Sequence, residues 1–238
     1  MTILNVYRSK SALVYTLIFI KRHLITFRKF RQLYTEFWFP SPSRPPYNHI
    51  CQIGDPVLRY KAEELNAEDI KKNEIQGLLK KMRSVMHSYG SFGLAAPQVG
   101  VPLSIFIVEF SEKIYEEFSP EIRKSREMAI IPFKVFINPE LKITNYEKVC
   151  FPEACESVRG FSADVPRYRE VLVTGLSAEG KPVSWQVSGW AARIVQHEMD
   201  HLSGRLYTDI MVRSTFTCTC WDKVNRTGGR IYVPFSPK

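Results

Sequence analysis

The chain reads as an α+β domain behind a basic leader, and three observations carry that expectation. Residues Glu64 to Tyr89 hold an apolar stripe at helical spacing, several β-branched and aromatic runs follow, and a second helical stretch, Gly189 to Leu202, comes after them. That order does not alternate as βαβ units do, which favours α+β over a doubly wound parallel sheet. At 238 residues, 45% hydrophobic and 24% charged, the chain suits one globular domain with extensions and excludes a disordered, collagen-like or low-complexity protein. No internal repeat is visible.

In the first helical stretch Ile75, Leu78, Leu79, Met82, Val85, Met86 and Tyr89 recur three and four apart with lysines on the other side, and Gly90 is placed to end it. After a glycine-containing loop, Leu103 to Phe110 and Lys134 to Ile137 read as strands. Glu170 to Gly175 and Val183 to Val187 read as a hairpin around Ala178, Glu179 and Gly180. Ser111 to Met128 is charged and irregular, an insertion with some helix. Gly204 closes the second helix. The tail from Cys218 to Lys238, where Cys218 and Cys220 flank Thr219 and Gly228 precedes Gly229, reads as a C-terminal strand or a mobile tail.

The formal charge of +9 is uneven. Residues 1 to 54 carry eight Lys and Arg against one acid, Glu36, whereas the remainder carries 25 basic and 23 acidic residues. A basic surface that would steer nucleic acid is therefore not expected of the body. Within the leader, the apolar run Ala12 to Ile20 is too short to span a membrane before Lys21, Arg22 and His23 interrupt it. A secretory signal fits that length, yet no small-residue cleavage site follows. A basic, hydroxylated, nearly acid-free segment fits an organellar presequence best. Residues 1 to 49 are expected to be presequence and a Pro-rich linker (Pro40, Pro42, Pro45, Pro46), and residues 50 to 238 the folded domain.

Five cysteines, Cys51, Cys150, Cys155, Cys218 and Cys220, are odd in number and lack framework spacing, which argues against a disulfide-stapled secreted scaffold. The sequon at Asn225, Arg226 and Thr227 matters only in a secretory context.

The most informative segment is Gln196, His197, Glu198, Met199, Asp200, His201. Two histidines four apart on a helix share one face, so both imidazoles can reach one metal ion while the adjacent Glu holds a water. Trp190, Ile194, His197 and His201 form one stripe, which turns the histidines inward rather than to solvent. A buried, partnerless pair of imidazoles is costly, so a metal accounts for them better. A thermolysin-like or metzincin-like protease would complete the ligand set downstream, but His201 is followed by Leu202, Ser203, Gly204, Arg205, Leu206 and Tyr207, without the third metzincin histidine. Upstream, Cys155 offers a thiolate, and a Cys with two His and one open position is a catalytic set.

Three segments then resemble, in order, the three motifs of the peptide deformylases. Gly93, Leu94, Ala95, Ala96, Pro97, Gln98 resembles the first, Glu153, Ala154, Cys155, Glu156, Ser157 the second, and Gln196 to His201 the third. Val165, Pro166, Arg167 and Ser188 to Arg193 extend the likeness toward the eukaryotic mitochondrial branch. The resemblance implies a peptide-deformylase-like fold, antiparallel or mixed sheets around a central metal-binding helix. It implies removal of formyl from the N-terminal formyl-methionine of newly made organellar proteins, in the mitochondrial matrix. One divalent metal on Cys155, His197 and His201 is implied, Fe²⁺ foremost, with Zn²⁺ or Co²⁺ able to substitute. Glu198 would be the general base, and the Gln98 amide and Glu156 N–H would form an oxyanion hole. Gly93 would let substrate approach closely, and Phe92, Phe151, Trp190 and Ile194 would receive its methionine. Glu153 and Asp200 would be supporting carboxylates.

The implied partners are formyl-methionyl nascent peptides, met at the organellar ribosome, with no specific nucleic acid, no stable membrane span and a homodimer among the states left open. Two positions depart from the pattern, Ala154 and Ser91 standing where the family has Gly. If position 154 needs φ > 0, Ala costs about 1 kcal/mol there and displaces Cys155 or the 156 N–H. That would leave a low-activity or degenerate paralogue, a binding module; a zinc metallopeptidase is the other alternative.

Overall fold

In the computed structural model the described residues are 44–237, so the expectations placed on residues 1 to 43, including the apolar run of the leader, lie outside them. Contacts with the body begin before Ile50, where the Tyr47 N–H donates to the Val99 carbonyl at 2.9 Å. No helix among the described residues is long and apolar enough to cross a membrane.

Helix α1 runs Asn73–Tyr89 and turns Ile75, Leu78, Leu79, Met82, Val85 and Met86 inward. Gly90 ends it at φ +65°, the left-handed position where an L side chain is strained. The apolar pattern had placed the start at Glu64, and the reason it starts later is tertiary. Asn138 accepts from the Leu65 N–H at 2.9 Å and donates to the Leu65 carbonyl at 2.7 Å, so both backbone groups are taken before a helix can use them.

Strands β1 (Gly93–Ala95), β2 (Ile105–Phe110), β3 (Ile131–Ala154), β4 (Phe161–Leu176) and β5 (Pro182–Ser188) pair in sequence order, every pairing antiparallel. A short β6 (Thr217–Cys218) adds to the start of β4. Among the described residues the parallel component allowed for is limited to an isolated bridge between Glu63 and Leu103. Between β2 and β3 the charged insertion forms two short helices, α2 (Glu112–Glu116) and α3 (Pro120–Ser125).

Alternation along β2 builds two cores. Phe106, Val108 and Phe110 face α4 (Gly189–Leu202), packing with Phe136, Val171, Val173 and Val195, while Ile105 and Ile107 face α1. The β5–α4 junction and the end of α4 are both set by glycine. Gly204 lies at φ +71°, and a Cβ there would come within 2.6 Å of the Arg59 carbonyl oxygen. Beyond Cys218 the tail forms helix α5 (Trp221–Arg226).

Asn138 itself holds φ +50° at a shift in the β3/β4 register. Asn138→Ala removes both bonds to Leu65 and leaves a strained backbone, so unfolding free energy should fall by about 2–3 kcal/mol in denaturant titration. A change below about 0.5 kcal/mol, the size expected of a surface substitution, would contradict this role.

Candidate active site

Helix α4 and the end of β3 bring the ligand set together. The donor atoms of Cys155, His197 and His201 lie within 4.8 Å of one another. Cys155 follows the last residue of β3 and opens a short 3₁₀ turn, Glu156–Val158, where its Sγ accepts from the Ser157 N–H at 3.4 Å. Its Sγ stands 3.3 Å from His201 Nε2. His197 Nδ1 meets Glu153 Oε1 at 2.5 Å, which leaves Nε2 as its ligand atom.

The electrostatics fit a cation. Burial works against a charged His197, yet Cys155 and Glu153 outweigh it and raise it well above the ordinary imidazole value. His201, depressed by burial and by the His197 charge, stays neutral. A divalent ion held by Cys155, His197 and His201 would place positive charge beside the Glu153 carboxylate. No fourth His, Cys, Asp or Glu joins the trio among the described residues, the open arrangement of a catalytic site.

Glu198, next to His197, is 3% exposed and its Oε2 has no hydrogen-bond partner. Burial pushes its carboxyl up to about 7. Gly93 makes room for it, since a Cβ on Gly93 would stand 2.8 Å from Glu198 Cδ. Gln98 is held by the Ala95 N–H, which donates to Oε1 at 2.9 Å, so its Nε2 points at Ser157 Oγ (3.2 Å) and Cys155 Sγ (3.7 Å). Amide donor, carboxylate and ligand set therefore converge.

A cleft of about 510 Å³ opens over them, lined by Phe92, Gly93, Gln98, Cys155, Glu156, Trp190, Ile194, His197 and Glu198. Phe92 meets Trp190 edge to face at 6.1 Å. Phe151 stands apart from these residues. It lines an adjoining cavity of about 250 Å³, beneath the guanidinium of Arg126 at 4.8 Å. His201 lies behind the cleft at 1% exposure. Ala154 is ordinary extended strand paired with Ser162, and is not among the residues at positive φ. The condition for strain at this position is not met.

Beneath the ligands lies a buried ionic network. Arg167 donates to both Glu153 oxygens (2.6 and 3.1 Å) and to Asp200 Oδ2 (2.5 Å). Arg193 donates to Glu153 Oε2 at 3.0 Å and to the carbonyls of Val165 and Val149. Burial alone would raise Glu153, but His197 and Arg167 hold its carboxyl far below the usual range. Glu153 and Asp200 were expected as supporting carboxylates; the two arginines were matched only as motif residues. The signal for Arg193 was a charge inside the apolar run Trp190 to Val195.

Comparison with known proteins agrees with this geometry. The family model described as polypeptide deformylase matches residues 47–216. The mitochondrial peptide deformylase of Homo sapiens is 46% identical over 184 residues, covering 77% of this chain and 76% of that protein. The chloroplastic/mitochondrial peptide deformylase 1A of Arabidopsis thaliana is 46% identical over 168 residues, 70% of this chain and 62% of its own length. A class I type b peptide deformylase from Acinetobacter baumannii, solved with Met-Ala-Ser bound, superposes with a TM-score of 0.60 at 28% identity, covering 68% of this chain and 96% of that one. Fold, ligand set and three ordered motifs thus meet in one line of descent, and the chain is an enzyme that belongs to the polypeptide deformylase family.

Proposed function

We propose that this enzyme hydrolyses the N-terminal formyl group of formyl-methionyl chains newly made in an organelle, acting in the mitochondrial matrix once residues 1 to 49 have delivered it. The observation that carries the reading is the buried, unpartnered Glu198 carboxylate beside three open metal donors and the Gln98 amide. The organellar names of the relatives and the acid-poor leader support the location.

Cys155, His197 and His201 would hold a divalent cation, which would supply Lewis-acid chemistry at the water and the formyl carbonyl. Fe²⁺ is the proposed native ion, because the family resemblance implies it and a mixed thiolate and imidazole set suits a borderline metal; Zn²⁺ and Co²⁺ suit the same donors. Glu198 takes the proton of the attacking water and returns it to the departing amine nitrogen as formate leaves. Gln98 Nε2 and the Glu156 N–H stabilise the charge that grows on the formyl oxygen. Phe92, Trp190 and Ile194 receive the methionine side chain, and Gly93 admits the peptide backbone. Phe151 acts from the adjoining cavity, buttressing Trp190 through Arg126, which stacks on both rings. The metallopeptidase and binding-module alternatives gain no support, since base, amide and all three donors are present in a deformylase family member.

The test is formate release from a formyl-Met peptide by anaerobically prepared, Fe²⁺-loaded protein. Glu198→Gln should lower kcat about 10³-fold with metal content unchanged, the size of a lost general base. Equal activity in the variant would overturn the assignment.

Glu198 acts only when ionised; burial pushes its carboxyl up to about 7, and a cation on the three donors would lower it from there. The kcat/KM profile should therefore rise with pH along an acid limb centred below that value. A rate that is flat or falling through this range would remove Glu198 as base.

Two backbone positions give opposite expectations. Gly93→Ala drives a methyl group into Glu198, and a shift of about 1 Å in the base should cost about 100-fold in kcat/KM. Ala154→Gly relieves no strain and should leave the rate within about twofold. A large gain for the second variant would show that Ala154 distorts the site.

A further inference from the structure

The deformylase chemistry does not use Cys218 and Cys220. Their Sγ atoms stand 3.4 Å apart at the turn that follows β6, both half-buried and neither in a disulfide. The separation is thiol contact, roughly 1.4 Å beyond a disulfide bond length. The turn is also held in place from both sides. Cys218 and Thr217 pair with Phe161 and Ser162 of β4, and the Thr219 N–H and hydroxyl both donate to the Gly160 carbonyl, at 2.9 and 3.1 Å. Upstream, Thr215 Oγ1 accepts from the Asp164 N–H at 2.8 Å, and Phe216 stacks on Phe161 at 5.1 Å. Thr219, between the two cysteines, lines the mouth of the catalytic cleft together with Arg159, Gly160 and Phe161.

We propose that Cys218 and Cys220 form a reversible dithiol–disulfide site at the cleft mouth, oxidised by exchange with small-molecule disulfides. The two thiols face one another, and either can act first once ionised. When Cys218 acts first, its thiolate attacks one sulfur of the small disulfide, forming a mixed disulfide and expelling one thiolate, which takes up a proton. Cys220 then gives up its proton and attacks the Cys218 sulfur. The Cys218–Cys220 bond forms, and the second small thiol leaves. Two protein thiols are oxidised and one external disulfide is reduced to two thiols.

The remaining cysteines do not offer this chemistry. Cys51 is buried and pushed up to about 12 by burial and by Asp55, Cys155 is a metal donor, and Cys150 is a single exposed thiol without a resolving partner in contact.

The sequence makes the test clean, because trypsin releases Ser214 to Lys223 with both cysteines and no other. The full metal-loaded chain is equilibrated in glutathione/glutathione disulfide buffers of graded ratio, quenched in acid, alkylated, digested and weighed. The expected result is a peptide lighter by two hydrogen atoms that titrates with the buffer and returns to the doubly alkylated form with dithiothreitol. Cys220→Ser should instead accumulate glutathione on Cys218, trapping the first step. The proposal is overturned if the wild-type peptide stays doubly alkylated across all ratios, or if it carries glutathione rather than the internal bond. Neither result bears on formate release, so the site stands or falls apart from the deformylase reading.

Discussion

Glu153 receives Arg167, Arg193 and His197 at once, and the metal site depends on that convergence. The carboxylate and both arginines are almost fully buried, so each charge is tolerable only because the others are present. Breaking one member strands the rest in a poorly solvating interior, which ties the end of β3, the start of β4 and the whole of α4 into one unit. Glu153 precedes Cys155 by two residues, Arg167 sits in β4, and Arg193 and Asp200 lie on α4 beside His197 and His201. The ionic network therefore aligns the thiolate from the strand with the imidazoles from the helix. It also fixes the His197 tautomer that presents Nε2 to the site.

Around this frame the catalytic groups are placed by backbone economy. Glu198 is buried against Gly93, the one position of β1 where a missing side chain leaves room for the carboxylate. Gln98 is oriented by an N–H three residues earlier in its own turn. Gln196 bonds both the N–H and the carbonyl of Tyr168, clamping the middle of α4 to β4. The proposed oxyanion donor is thus held by a link within its own turn and the proposed base by the room Gly93 leaves on β1, while the proposed ligands rely on the ionic network.

These two kinds of support explain what was legible in the chain. Helix α4 was readable to its ends because its apolar stripe and Gly204 are local signals, and the His197, Glu198 and His201 spacing follows from helical pitch alone. Cys155 was found as the thiolate that could complete two histidines, and Gln98 through motif order, because nothing local links either to a helix far along the chain. The length of β3 was not readable: beyond Ile137 its residues include Lys142, Thr144, Glu147 and Lys148, exposed polar positions on a ribbon that only β4 pairing makes a strand. The start of α1 was overestimated because Asn138, far along the sequence, captures the Leu65 backbone. Phe151 shares the aromatic character of the cleft residues, and only its packing against Arg126 and Arg193 sets it in the neighbouring cavity.

The most direct measurement of this account is the metal dissociation constant of Glu153→Gln beside the wild type, by chelator competition, with circular dichroism to confirm the fold. Arg167 keeps Asp200 in the variant, but His197 loses its carboxylate partner. The account predicts affinity weakened about 10- to 100-fold with the secondary structure intact. Unchanged affinity would show that the ligands are oriented without the network and would contradict it.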